Sequence, residues 1–504
     1  EFPLLVKYSS HVTFNSLSQF ERFYPMVKAS GKDIACGLRI NPEFSVVEND
    51  LYNPSAPGSR LGITSDRIGE KLPEGITGLH LHNLCENNSY DLEKTLEFVE
   101  HKFGRLFGQI RWLNLGGGHL MTHKDYNVEH LISVLTGLKA RYPHLEIILE
   151  PGVVILAKRG EFKGRSDSLL KAEDQNDITI RGYGATLRMW KKDYQGPDYA
   201  KGEWRMTLAF IGCKRIRVEG LRCESSGGDG VYIGSNERNR WCEDVVIRDV
   251  ICSDNYRQGI SVISAVNLLI ENCLLAKTSG TAPGSGIDLE PDLPEERLVN
   301  CVVRHCVMED NEGHAILVYL KPLTKESEPV SIRFENCLAR MSRAQTGTAD
   351  GDGALPGRAG IAVEAVRDEG PQGTIEFRNC VVENSGQEGI KIEDKSVSGA
   401  RVRFVHCSWK NAWDADFPTY GGPRAPILLT LWNPEVTRYQ GGVEFEQCAV
   451  HDTLDRPVIW EDNERSEAGL TDVTGDITVV NPHGARLRVG PHTQEIQLQI
   501  HEVK

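Results

Sequence analysis

Two hydrophobic periods divide the chain, and they change over near residue 150. Before that point short apolar runs alternate with longer amphipathic stretches. Residues 11–15, 34–41, 76–82, 110–115 and 145–149 read as strands. Between them, residues 90–107 bring Leu92, Leu96, Phe98, Val99 and Phe103 round near a helical period, and residues 127–142 place Leu131, Val134, Leu135 and Leu138 on one face. Strand and helix alternating at this spacing predict parallel strands joined by helical crossovers. Five strands fall short of a closed eight-stranded barrel, so a partial (βα) barrel with open strand edges is expected. On that ground residues 1–144 are expected to be less stable than the rest.

From about residue 160 the helical period is gone. A loose repeat replaces it: a β-rich stretch often ending in Asn-Cys, a polar turn, then Gly-Ile-x-Val, as in LLIENCLLAKTSGTAPGSGIDLE and TIEFRNCVVENSGQEGIKIED. The aligned cysteines Cys273, Cys306, Cys337, Cys380, Cys407 and Cys448 are 33, 31, 43, 27 and 41 residues apart. Short strands recurring at that interval predict a solenoid, and the uneven spacing fits turns that take insertions, such as residues 344–358. The fold expected is mainly β: a right-handed parallel β-helix over 151–504, each copy one coil, preceded by an α/β partial barrel over 1–150. Val231, Ile260, Ile287, Ile316, Ile361, Ile390, Ile427 and Val458 would form one inward column, and the aligned cysteines another.

Composition narrows the function. The 504 residues exceed one ordinary core, which agrees with two domains. With 57 Lys+Arg against 71 Asp+Glu, the net charge of −14 argues against a nucleic-acid binder. No apolar run is long enough to span a membrane as a helix. The 13 cysteines include no Cys-x-x-Cys pair, so they are expected to be reduced, small, buried residues rather than zinc ligands or disulfides. The opening Glu-Phe-Pro reads as a processed or fragmentary start.

Outward positions beside the Gly-Ile-x-Val column carry the candidate chemistry. They are Tyr232, Ser261, Asp288, Leu317, Ala362 and Lys391, with Glu290, Tyr319, Glu364 and Glu393 one step on, and Asp229, Gln258, His314 and Glu388 before the strand. Coils stack about 4.8 Å apart, so Asp229, Arg257, Asp288, Glu290 and His314 would converge within a few coils. Three readings stay open. Asp229 with Asp288 or Glu290 would serve as acid and base across a glycosidic bond. Arg257 or His314 would abstract a sugar proton while carboxylates hold calcium, giving elimination or epimerisation. Or the aspartates bond backbone amides in tight turns. Trp190, Tyr194, Tyr199 and Trp204 precede the first clear coil and are expected to cap the solenoid, whereas Trp409, Trp413, Tyr420 and Trp432 are assigned to later insertions. Residues 163–167 and the Lys191-Lys192 pair read as solvated surface.

GGDGVYIG, RQGISV and SGIDLEPD resemble the pectate-lyase-like right-handed β-helix superfamily over roughly residues 145–504. That resemblance implies a polysaccharide partner, with lyase, hydrolase and epimerase activities and a non-catalytic adhesin or structural module all open. HVTFNSLSQFERF, GLRINPEFSVVENDLYNPSAPGSRLGI, GLHLHNLCEN, WLNLGGGH and LEPG follow one another as in carboxynorspermidine decarboxylase, a pyridoxal-phosphate-dependent family of polyamine biosynthesis, over residues 1–152. The resemblance implies that His82 stacks on the cofactor ring. It further implies that the amides of Gly116, Gly117 and Gly118 hold the phosphate and that Glu150 pairs with the pyridinium nitrogen, with Arg39 and Arg60 nearby. The family's Schiff-base lysine belongs upstream of Glu1, and Lys7 and Lys28 do not match it, so no functional cofactor is expected. The decarboxylase family works in the cytoplasm and many β-helix enzymes are exported, which leaves the compartment open. The string LEIILEPGVVILAKRGEF reads both as a decarboxylase strand and as an opening coil, and implies a junction of two unrelated sequences.

Overall fold

A computed structural model describes residues 1–504 except 48, 50, 119, 121–124, 144–146, 149–151, 341–358, 414–424, 434, 464–468, 485, 491, 495 and 504. Most of the strand expected at 145–149, the insertion at 344–358, Glu150 and Tyr420 therefore lie outside the described residues. The chain divides into two compact units, residues 1–158 with 179–185, and residues 159–178 with 186–504.

In the first unit α1 (Phe2–Tyr8), β1 (His11–Phe14), α2 (Leu17–Ala29), β2 (Ala35–Arg39), β3 (Ile76–His80), α3 (Ser89–Phe107), β4 (Trp112–Asn114) and α4 (Val128–Arg141) follow in order. The four strands form one parallel sheet in chain order. Side chains fix the helix starts. The Asn88 carboxamide accepts from the amides of Tyr90 and Asp91, and the Asp91 carboxylate accepts from the Asn88 amide. Ser16 and Asn127 cap α2 and α4 in the same sense. Leu38, Leu79, Leu92, Leu96, Val99 and Phe103 are buried in a common core. One residue departs from the expected helical face: Phe98 is 39% exposed and stacks flat on Phe44 with ring centroids 3.9 Å apart. The register sets Arg39 beside His80 and His80 beside Asn114, so the three end their strands at one level.

The second unit is a parallel β-helix. A typical coil contributes Ala265–Glu271, Leu274–Ala276 and Ile287–Leu289, each paired in parallel with its counterparts in the coils before and after. The Gly-Ile-x-Val strands stack into an eleven-stranded sheet. Its central column runs Val231, Ile260, Ile287, Ile316, Ile361, Ile390, Ile427 and Ile459. The last place belongs to Ile459 and not to Val458, because the turn before that strand carries one residue more than the alignment assumed.

Backbone sign explains the Asn-Cys motif. Asp249, Asn272, His305, Asn336, Asn379, His406 and Gln447 all have φ between 49° and 56°, a left-handed bend between the first two strands of each coil. Asn and Asp adopt that region at less cost than other side chains with a Cβ. The residue after the bend points inward, and from Cys273 to Cys448 it is a buried cysteine; each of these is a free thiol. Of all 13 cysteines only Cys85 is exposed. Another left-handed column lies inside the first strand, at Asp244, Asn267 and Asn300. It shifts the inward positions from strict alternation, so that Ala265, Leu268 and Ile270 face the core. Phe334, Phe377, Phe404 and Phe445 stack through the interior, with centroids 5.0, 5.0 and 5.4 Å apart. Trp409 packs edge-on against Phe404 and Phe445 from the strand Ser408–Lys410, so it is a core residue of a coil and not part of an insertion.

Candidate carbohydrate site on the β-helix

Strand alternation and the stacked register bring polar residues from several coils onto one face of the eleven-stranded sheet. Just before the strands, Asp229, Gln258, Ser285, His314 and Glu388 occupy equivalent places, two residues ahead of the aliphatic column. All five are buried. Asp229 is held by Arg257, whose Nε and Nη2 donate to its two oxygens at 2.9 and 2.7 Å. Burial works against the guanidinium charge, and the Asp229 carboxylate more than offsets it, so Arg257 is held protonated.

One coil along, Gln258 Nε2 donates to Asp288 Oδ2 at 2.6 Å and Gln258 Oε1 accepts from the Ser285 amide at 2.8 Å. Asp288 is fully buried; its other oxygen, Oδ1, has no well-aligned donor among the described residues, although the Ser261 hydroxyl beside it favours the charged form. Burial and then the charge of Glu290 push the Asp288 carboxyl well above the usual carboxylate range. Burial raises Glu290 as well, against the charge of Arg257. Two carboxyl groups two residues apart, both raised, keep a proton to higher pH than isolated carboxylates do. Glu290 and Tyr232 are only half-buried, so the lip above Asp288 is open to solvent.

His314 belongs to a different grouping from the one expected. Its Nδ1 accepts from the Ala359 amide at 3.1 Å, and its Nε2 lies 3.6 Å from Glu364 Oε1. Burial, then the charge of Lys391, push its pKa down to about 3, so the ring is neutral with the proton on Nε2. Lys391 Nζ sits 3.3 Å from Glu364 and 2.5 Å from Glu393. Glu388 completes the group: burial pushes its carboxyl up to about 7, and its Oε2 has no donor among the described residues. The sequence alone listed Glu364, Glu388, Lys391 and Glu393 as outward residues without joining them into a site. The signal was present in the charge alternation Glu364, Lys391, Glu393 across paired strands.

Both aspartates have side-chain partners, Arg257 for Asp229 and Gln258 for Asp288, and the Gln258 backbone also bonds Asp229, as the turn-bonding reading expects. Among the described residues no group of three or more His, Cys, Asp or Glu is placed to hold a metal ion. The Lys191-Lys192 pair is not simply solvated: Lys191 Nζ donates to Asp254 Oδ1 at 3.0 Å, the Asn255 carbonyl at 3.2 Å and Ser279 Oγ at 2.8 Å. Before the first clear coil, Tyr194 is buried edge-on to Tyr199, with Arg205 over both rings.

The first unit presents the other candidate residues at the ends of its strands. His82 is exposed beyond β3, and a Cβ on Gly117 would sit 4.0 Å from its ring. Gly116 and Gly118 have φ of 71° and 89°, and a Cβ there would lie 2.2 Å from the Leu81 carbonyl oxygen and 2.0 Å from that of Leu84. Their lack of a side chain is explained by this close backbone approach. The Gly116 amide already donates to Asn114 Oδ1 at 2.8 Å, which removes one of the three expected phosphate donors. Arg39 is turned to the His82 carbonyl at 3.1 Å, and Arg60 is exposed. None of β1–β4 carries a lysine. The described residues thus do not complete a pyridoxal phosphate site, and no catalytic step is derived from it.

These features define the molecule as mainly β, a right-handed parallel β-helix carrying polar clusters on one face, with a decarboxylase-like α/β segment at its N-terminus. Residues 205–339 match the family model described as right handed beta helix region. The N-terminal region matches carboxynorspermidine decarboxylases and their relatives. It is 44% identical over 174 residues to carboxyaminopropylagmatine decarboxylase of Synechocystis sp., covering 34% of this chain and 44% of that protein. It is 36% identical over 175 residues to carboxynorspermidine/carboxyspermidine decarboxylase of Campylobacter jejuni, covering 35% and 44%. The chain spans less than half the length of these relatives. Pectate lyase Pel9A is similar at 10% identity with a TM-score of 0.37, over 64% of this chain and 71% of that one. No helix among the described residues is long and apolar enough to cross a membrane.

Proposed function

We propose that the β-helical unit binds a polysaccharide along the face bearing Arg257, Asp288 and Glu290, and cleaves or rearranges it by proton transfer from that carboxyl pair. The observation that carries the reading is the Asp288 carboxyl: buried, raised well above its ordinary range by burial and by Glu290, and with Oδ1 lacking a well-aligned donor among the described residues. A carboxyl whose pKa is raised by burial and a second carboxyl can serve as general acid at a glycosidic oxygen. Asp288 is assigned as the acid and Glu290 as the partner that takes up a proton or meets the sugar carbon. Arg257, clamped by Asp229, fixes the charge beside them and acts as a positioning residue. His314, neutral and turned to Glu364, is left out of the first proton transfer.

The test is turnover on a panel of neutral and uronate glycans, read as new reducing ends or unsaturated products. Asp288→Asn should lower kcat by at least about 100-fold while circular dichroism stays unchanged, since general acid catalysis contributes on the order of 10²–10⁴. Activity should fall as pH rises through the range in which the pair loses its shared proton. Unaltered turnover in both Asp288→Asn and Glu290→Gln would remove the proposal. A second reading, a non-catalytic binding rod, has one observation in its favour: Asp229 is fully buried with both oxygens taken, as a structural clamp would be. Glycan retention without turnover on any substrate in the panel would select it.

A further inference from the structure

The polar face extends past Asp288, and its charges decide what kind of glycan it takes. In the second grouping Glu364, Glu388 and Glu393 surround Lys391, on strands that follow the Asp288 strand along the same sheet. At about 4.8 Å per coil, the Lys391 strand lies roughly 14 Å from the Asp288 strand, so one extended chain reaches both. Two buried carboxyl oxygens at these groupings, Asp288 Oδ1 and Glu388 Oε2, lack a well-aligned donor among the described residues. Each is an acceptor or a protonated donor for a hydroxyl group.

The cationic side chains set among these carboxyls are both committed. Arg257 gives two hydrogen bonds to Asp229. Lys391 lies between Glu364 at 3.3 Å and Glu393 at 2.5 Å. A sugar carboxylate arriving here would displace a protein carboxylate from its cation, leaving one negative charge uncompensated beside carboxyls already raised by their neighbours. Cleft walls of one sign repel ligands of that sign beyond contact distance. A hydroxyl-rich uncharged sugar pays no such penalty and satisfies the unpartnered oxygens.

We infer that the face from Arg257 to Lys391 binds an uncharged glycan lying along the solenoid axis and excludes polyuronates. The inference rests on the carbohydrate reading above and adds the substrate class, which favours hydrolysis over the uronate-specific elimination and epimerisation.

The test uses the full chain and two sets of oligosaccharides matched in length, neutral glucans of several linkages and galacturonate or mannuronate oligomers, titrated by calorimetry at low ionic strength with and without calcium ions. Neutral oligomers should bind at least about tenfold tighter than any uronate oligomer, and added salt should narrow the gap by screening. Glu364→Gln with Glu393→Gln frees Lys391 and should raise uronate affinity about tenfold, with circular dichroism confirming an intact fold. Uronates binding as tightly as neutral oligomers to the unaltered chain, with or without calcium, and weakened by Asp288→Asn, would overturn this inference and leave the glycan site standing. Absence of binding by both sets would overturn the carbohydrate reading and this inference with it.

Discussion

The two units reverse the chain by opposite means. In the α/β unit Gly116 and Gly118 are left-handed because backbone oxygens of a neighbouring segment leave no room for a Cβ, and the other left-handed residues, such as Glu43 and Glu86, occur singly. In the β-helix the recurring left-handed positions are polar residues, and side chains bond along the column at two steps: Asn272 Nδ2 donates to Asp249 Oδ1 at 2.5 Å, and Asn379 Nδ2 to Asn336 Oδ1 at 3.2 Å. A bend that occurs once is shaped by what packs on it. A bend that occurs in every coil meets copies of itself, so a polar residue that tolerates the left-handed region can also bond its equivalent one coil away, as Asn272 and Asn379 do. The cores differ in the same way. The α/β unit gathers Leu38, Leu79, Leu96 and Phe103 into one cluster, whereas the solenoid carries columns in which each residue touches its equivalents one coil away.

The largest test of that contrast removes a ring from each core. Phe377 is stacked between Phe334 and Phe404 and is fully buried, as is Phe103 on α3. Truncation to alanine should cost about 3–5 kcal/mol at either place. The expected difference lies in how far the damage spreads. Stability in a stacked repeat is close to a sum over neighbouring coils, so Phe377→Ala should speed hydrogen exchange in the coils next to it and spare those far away. Phe103→Ala should raise exchange throughout residues 1–140. Uniform loss of protection along the whole solenoid in Phe377→Ala would break the contrast.

Much of the architecture was legible because it repeats. Eight copies of one pattern named the aliphatic column, and only its last member was misplaced, since a single added turn residue moves Ile459 into the position read for Val458. The strands and the two long helices of the α/β unit followed from their periods. Helix α1, with seven residues, and α2, interrupted by Pro25, carry too little period to be read. The site was legible in position and not in partnership. Outward alternation identifies Asp288 and Glu290, but which donor Asp229 meets depends on the bend before Arg257, and His314 turns to Glu364 because Ala359 offers an amide to its Nδ1. Trp409 lies two residues after His406-Cys407, where other coils carry a smaller inward residue, and the Phe404 and Phe445 rings pack against it edge-on.

A smaller effect is expected in resistance to protease. The four-stranded sheet leaves β1 paired along one edge by β2, and its core is a single cluster, while nearly every coil strand has neighbours on both sides. Local opening should therefore be easier in residues 1–144. Limited digestion with a non-specific protease should cut there at least about tenfold faster than within 205–339, a gap of about 1.4 kcal/mol in opening free energy when reclosing outpaces cleavage. Loss of the solenoid first would reverse the ranking of the two units.

The finest test concerns the left-handed ladder itself. Asn336 has φ of 53°, its side chain is exposed, and it accepts the Asn379 bond, so its contribution is nearly all conformational with one weak hydrogen bond added. Alanine at this place keeps the Cβ that crowds the left-handed region and removes the local polar group that offsets it, and should cost about 1 kcal/mol in urea unfolding. Glycine removes the crowding along with the bond, at the expense of a freer unfolded chain, and should fall within about 0.5 kcal/mol of asparagine. The order Asn, Gly, Ala identifies the bend as the reason for the Asn-Cys motif. Equal losses for glycine and alanine would assign the motif to the side-chain ladder instead, and no loss for alanine would mean that the backbone sign at this corner is set by the buried cysteine that follows it.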